Sequence, residues 1–170
     1  MPVIGGGQIN HNPYYAGQLI SFLPNGIQTR LNASGVNIPY GKGVVTDTSI
    51  TDQNAIILPT SSSTYAQFNG VLMYELDRAY ADNSVFGAVD QYSCDVVSMG
   101  TIVVLTQEAV TKDDPVYLIT ENLVTPSQVG DFNTTGVVGD VTAAVQIANA
   151  KFITSGSAGD LVQIALTIGG

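Results

Sequence analysis

The most regular pattern in the chain lies near its end. Over residues 161–168, Val162, Ile164, Leu166 and Ile168 alternate with Gln163, Ala165 and Thr167. A period of two marks a half-buried strand, because successive side chains point to opposite faces. Residues 68–76 repeat it, with Phe68, Gly70, Leu72, Tyr74 and Leu76 on one side and Val71, Met73 and Glu75 on the other. Elsewhere the apolar positions form short β-branched runs: Gly43-Val44-Val45-Thr46, Ala55-Ile56-Ile57-Leu58, Val116-Tyr117-Leu118-Ile119 and Lys151-Phe152-Ile153-Thr154. Turn chemistry bounds them, as in Pro59-Thr60-Ser61-Ser62-Ser63, Lys112-Asp113-Asp114-Pro115, Asn133-Thr134-Thr135-Gly136 and Ser155-Gly156-Ser157-Ala158-Gly159-Asp160. Residues 93–97 and 101–106 read as two strands joined by a tight turn at Met99-Gly100. Residues 122–125 read as a hairpin partner, and 107–112 as either strand or loop. Only residues 76–81 could form a helical turn. Many short strands without alternating helices predict an all-β fold, an antiparallel β-barrel or jelly-roll-like sandwich.

The first forty residues break this rhythm. Gly5-Gly6-Gly7, Asn10-His11-Asn12-Pro13, Leu23-Pro24-Asn25-Gly26 and Ile38-Pro39-Tyr40-Gly41 interrupt every apolar run. Glycine loosens the backbone and proline removes a ladder donor, so only short extended pieces fit, at residues 17–22 and 27–31. The stretch is nevertheless rich in Tyr14, Tyr15, Leu19, Ile20, Phe22, Ile27 and Leu31, too apolar for a free tail. The division expected is an extended N-terminal arm over 1–37 and a single β domain over 38–170. The arm's apolar side chains would be buried by its own domain or by a neighbouring subunit. Tyr14, Tyr15, Leu19, Phe22, Ile27, Arg30 and Leu31 are the candidate interface residues. Arg30 adds a fork that could pair with a carboxylate.

Composition narrows the function. Charged residues are 11% of the 170, against about 25% in an ordinary soluble domain. So uncharged a surface suggests burial against partners. The net charge is −9, and the five cations (Arg30, Lys42, Arg78, Lys112 and Lys151) stand singly. Phosphate backbones and anionic membranes both call for clustered cations, so neither nucleic acid nor membrane is an expected partner. The longest apolar stretches are far shorter than the roughly 20 residues of a membrane helix, and no signal peptide is recognisable.

Candidate chemistry is thin. The single Cys94 excludes an intramolecular disulfide and lies in a strand-like run, as a small buried hydrophobe would. His11 is the only imidazole, and it sits among turn residues where a catalytic base would lack a fixed position. Asp47 with Asp52, and Asp113 with Asp114, could offer oxygen ligands to calcium, but turn formation explains them as well. Glu75 and Asp77 read as solvated charges rather than a glycosidase pair. No enzyme and no cofactor is expected.

The opening Gly5-Gly6-Gly7-Gln8-Ile9-Asn10 with Tyr15-Ala16-Gly17-Gln18-Leu19 resembles the structural cement, or capsid decoration, proteins of tailed bacteriophages. So do Ile38-Pro39-Tyr40-Gly41-Lys42-Gly43-Val44-Val45, Lys112-Asp113-Asp114-Pro115-Val116-Tyr117, and the closing hairpin from Ala150 to Val162. In the third motif, Asp113-Asp114-Pro115 stands where the pattern would have Gly-Asp. The resemblance implies a non-enzymatic virion protein made in the host cytoplasm. It would bind the major capsid protein on the outer capsid surface and clamp neighbouring capsomers against DNA pressure. A homo-trimer or homo-dimer is the expected state, since closed assemblies protect β edges. The alternative is a carbohydrate-binding or receptor-adhesin module of a phage fibre or cell surface. That reading requires exposed aromatic platforms, and the chain has no Trp and eight scattered Tyr.

Overall fold

A computed structural model describes residues 14–20, 25–49, 54–75, 86–122, 127–138 and 142–167. The described chain is β throughout, apart from one 3-10 turn at Tyr65–Gln67. In chain order the strands are β1 (Gly26–Asn32), β2 (Ile38–Pro39), β3 (Gly43–Thr46), β4 (Ala55–Ile57), β5 (Phe68–Leu72) and β6 (Gly87–Ala88). They continue with β7 (Ser93–Leu105), β8 (Pro115–Glu121), β9 (Phe132–Asn133), β10 (Val137–Val138), β11 (Thr142–Phe152) and β12 (Leu161–Leu166). No helix among the described residues is long and apolar enough to cross a membrane.

Two rings of strands share β7. In the first the order is β1-β4-β3-β5-β7, and β1 pairs back onto β7 to close it. Here the N-terminal half of β7 is used: Ile27 lies opposite Val97, and Val71 pairs with Val97 from the other side. In the second the order is β7-β12-β11-β8-β9, closed by a bridge between Thr106 and Phe132. Here the C-terminal half serves, with Ile102 opposite Ile164. β2 and β6 form a separate two-stranded piece, and β10 adds to β11.

This sharing explains the two hydrophobic patterns. Val44, Ile56, Leu72, Cys94 and Val96 pack into one core with Ile38 and Tyr40. Their chain neighbours Val45, Val71 and Val97 point the other way, into the larger core with Ile102, Val104, Phe132, Phe152 and Ile164. Strands covered on both faces read as continuous apolar runs. β12 is covered on one face, so it alternates, with Val162, Ile164 and Leu166 buried.

The all-β class stands, and β3, β8 and β12 lie where the pattern put them. The turn expected at Met99-Gly100 is absent: β7 runs through it for 13 residues. Gly100, at φ +130°, lets the strand bend where it passes from one ring to the other. At the same place the pairing with β1 shifts register, between Gly26 and Ile27. β11 begins at Thr142, well before the strand expected at 151–154. Its alanine-rich first half has weak strand propensity and is held by pairing with β8. Residues 107–112 form a loop fixed by mutual bonds between Val110 and Gly156. The helical turn expected at 76–81 lies outside the described residues, as does most of the hairpin partner expected at 122–125.

Within the stretch read as an arm, residues 17–20 run antiparallel alongside the second half of β7, joined to it by an isolated bridge at Leu19. Gly17 and Ile20 donate to the carbonyls of Val103 and Thr101 at 2.7 and 2.8 Å, and Val103 donates to Gln18 at 3.0 Å. Leu19 bridges to Ile102 and packs on the larger core. Residues 26–32 are β1, a member of the first ring.

Candidate interaction surface

Four aromatic rings gather where this segment crosses the molecule. Tyr15 follows from the turn that precedes Leu19, and its carbonyl accepts from the Gln18 amide at 3.0 Å. Tyr74 lies just past β5, Tyr40 just past β2, and Phe86 just before β6. Tyr15 stacks on Tyr74 with ring centroids 5.6 Å apart. Tyr40 meets Tyr74 and Phe86 edge-on, each at 5.4 Å, and Phe86 lies 5.2 Å from Tyr74. The first three are the offset and edge-to-face geometries that aromatic quadrupoles favour, and the Tyr74–Phe86 pair is tilted between them. Tyr40 is buried, whereas Tyr15 is 60% and Phe86 49% exposed.

Two glycines permit this convergence. Gly17 sits at φ +80°, and a Cβ there would lie 2.7 Å from the Leu72 carbonyl oxygen and 2.9 Å from the amide nitrogens of Gly41 and Tyr74. Gly41, at φ +81°, faces Ala16 just as closely. The main chain is thus stitched across the rings: the Tyr74 amide donates to Gly17 at 2.9 Å and the Gly41 amide to Leu72 at 3.0 Å.

Beside the rings runs an apolar groove of about 440 Å³, walled by Tyr14, Tyr15, Pro39, Tyr40 and Phe86, with Lys42 and Asp131 among its lining residues. Lys42 Nζ lies 2.8 Å from Asp131 Oδ1, and both side chains are largely buried. Gln107 Nε2 donates to Asp131 Oδ2 at 2.8 Å, Gln128 to Gln107 at 2.8 Å, and Asn122 to Gln128 at 3.2 Å. Burial pushes the Asp131 carboxyl above the ordinary carboxylate range, while the Lys42 ammonium pulls it back down. Lys42 leads into β3 of the first ring and Asp131 into β9 of the second, so the pair ties the rings together. The Gly43 amide donates to the Gly130 carbonyl at 2.7 Å alongside.

The expected interface residues divide. Tyr14 and Tyr15 line the groove. Leu19 is turned inward, onto the core. Ile27, Arg30 and Leu31 stand on β1, with Ile27 41% exposed. Arg30 is engaged within the molecule: Nη1 donates to Asn54 Oδ1 at 3.1 Å and Nη2 to Gln28 Oε1. Phe22 lies outside the described residues, as do His11, Asp52 and Asp77. Asp47 Oδ1 accepts from the Ser49 amide and hydroxyl at 2.8 and 2.6 Å, and Asp114 from the Thr111 amide at 2.7 Å, which are turn-forming bonds. Glu75 accepts from the Asp95 amide at 2.8 Å. Cys94 is buried in the smaller core. Among the described residues no cluster of three acidic, His or Cys side chains could hold a metal ion. The sequence reading missed Tyr40, Tyr74 and Phe86 as partners of Tyr15, because positions 15, 40, 74 and 86 share no local pattern.

The fold has a counterpart among solved structures. A chain from the capsid of Myoviridae phage XM1 superposes with a TM-score of 0.69 at 18% identity, covering 91% of both chains. The N base of the phage phi29 head fibre gp8.5 gives a TM-score of 0.48 at 11% identity, over 85% of this chain and 95% of that one. No curated protein sequence matches. A sequence model for the family described as "Structural cement protein (E217 gp24/Pam3 gp6)" matches residues 7–167, and the chain belongs to that family. It is a bacteriophage structural protein with a structural role in the capsid.

Proposed function

We propose that the protein binds the outer face of an assembled major-capsid lattice and clamps neighbouring capsomers against internal DNA pressure, without turnover. Membership of the structural cement family over residues 7–167 carries this reading. The physical logic is linkage: a protein that binds only the assembled lattice stabilises it, and many copies make modest single-site affinity sufficient. The clamp must touch more than one capsomer, because a subunit seated on one alone cannot oppose their separation. An outer-face protein does not meet the packaged DNA, which suits a chain of net charge −9. Each unit on the lattice is a symmetric homo-oligomer, a trimer or a dimer, joined through side-chain surfaces rather than strand edges, since most strands already have neighbours on both sides.

Particles lacking the protein should release DNA at a lower temperature than decorated ones, and adding it back should restore the difference. Raised salt should weaken the rescue only slightly, because exposed charge pairs contribute little. Equal release temperatures for bare and decorated particles would overturn the reading. One observation favours the adhesin alternative: the exposed Tyr15, stacked on the half-buried Tyr74, with the exposed Phe86 beside them, forms the kind of platform on which sugars lie. In that case losing the rings would abolish adsorption to cells and leave particle stability unchanged.

A further inference from the structure

We infer that the Tyr15–Tyr74–Phe86 face and its groove form the surface that grips the capsid, and that the occupant is a segment of a capsid subunit presenting an arginine. The inference rests on the capsid-binding reading above and names its contact. Among the described residues, Tyr15, Ile27, Val36, Phe86 and Tyr92 are the large apolar side chains left exposed. Tyr15 and Phe86 are joined into one patch through Tyr74. These rings are fixed before any partner arrives, by each other and by the stitched backbone at Gly17 and Gly41. Rigid aromatic side chains give contact area at small entropic cost, and they are the residue type that dominates interface energetics.

Charge selects the occupant. Among the described residues that line the groove, Lys42 is the one cation, and it is committed to Asp131 at 2.8 Å. The chain as a whole carries −9, so an approaching partner meets a negative field. Ring faces are themselves the negative side of an aromatic quadrupole, and the guanidinium is the cation that both stacks on them and keeps its hydrogen bonds. A second copy of this chain brings the same −9 and does not complement the surface.

The test uses bare particles and the full-length protein. Tyr15→Ala and Phe86→Ala remove exposed rings, so the isolated variants should melt near the wild-type temperature. Each should bind bare particles at least about tenfold more weakly, the loss expected when an interface anchor is truncated. Free arginine should compete with wild-type binding more strongly than lysine at equal concentration, and this advantage should vanish in the two variants. Unchanged particle binding by folded Tyr15→Ala and Phe86→Ala would overturn the inference, while wild-type rescue of particle stability would still uphold the clamp. Equal competition by arginine and lysine would overturn the arginine occupant. Variants that keep particle binding but lose binding to host-cell glycans would assign the face to carbohydrate instead.

Discussion

Lys42 and Asp131 show what a single pair does at the junction of two rings. A carboxylate this buried has lost most of its hydration, and one ammonium at 2.8 Å with one amide donor only partly replaces it. Because its folded pKa is raised, Asp131 binds its proton more tightly in the native state than in the unfolded chain. Its contribution to stability is therefore fullest below the ordinary carboxylate range and is lost as pH rises through the raised value. Asp131→Asn abolishes that titration. The difference in melting temperature, wild type minus variant, should move in favour of the wild type on acidification from about pH 7 towards pH 4. Parallel profiles would contradict the assignment. Lys42→Met leaves a buried carboxylate uncompensated and should cost about 3 kcal/mol in neutral urea melts, with a smaller loss in acid, where Asp131 takes up a proton. Gly17 is a second sensitive residue, for steric reasons. Gly17→Ala puts a Cβ against three backbone atoms in a left-handed conformation and should cost about 1–3 kcal/mol.

Among the elements, β7 organises the molecule. Its first half closes one ring, its second half opens the other, and residues 17–20 cover the latter's free side. That segment is held to β7 by three backbone bonds and by Leu19 on the core. Leu19→Ala should destabilise by about 1–2 kcal/mol, less than a fully buried leucine, because the side chain is only half-buried. The amides of Gly17, Ile20 and Val103 should also be protected from hydrogen exchange in the wild type and exchange faster in the variant. Unaltered exchange would mean that Leu19 does not anchor the segment.

At the scale of the whole molecule, the rings are expected to unfold together. They share a strand, and Val45, Val71 and Val97 of the first ring's strands are packed in the second ring's core. Melting one ring exposes apolar surface in the other, so backbone circular dichroism and tyrosine fluorescence should report one coincident urea transition. Two separated transitions would show that the rings are independent. The closure also bears on assembly. Most strands already have neighbours on both sides, which weakens the case for oligomers built by edge pairing and shifts attachment towards side-chain surfaces such as the aromatic face.

What the sequence determined by itself was local or global in kind. Period-two alternation and short β-branched runs marked β3, β8 and β12, because such patterns record which faces are buried. Sparse, unclustered cations set only an expectation, that neither nucleic acid nor membrane is a partner, because those partners need charge in bulk. The family resemblance came from motifs contiguous in the chain. Only the tertiary structure decided what depends on distant residues meeting. The path of β7 through Met99 and Gly100 is set by partners on both sides, which outweigh the local turn signal. The gathering of Tyr15, Tyr40, Tyr74 and Phe86 depends on the crossing at Gly17 and Gly41, and the pairing of Lys42 with Asp131 on closing two rings around one strand. Such contacts join positions up to 89 residues apart, as with Lys42 and Asp131, and no periodicity within a segment encodes them.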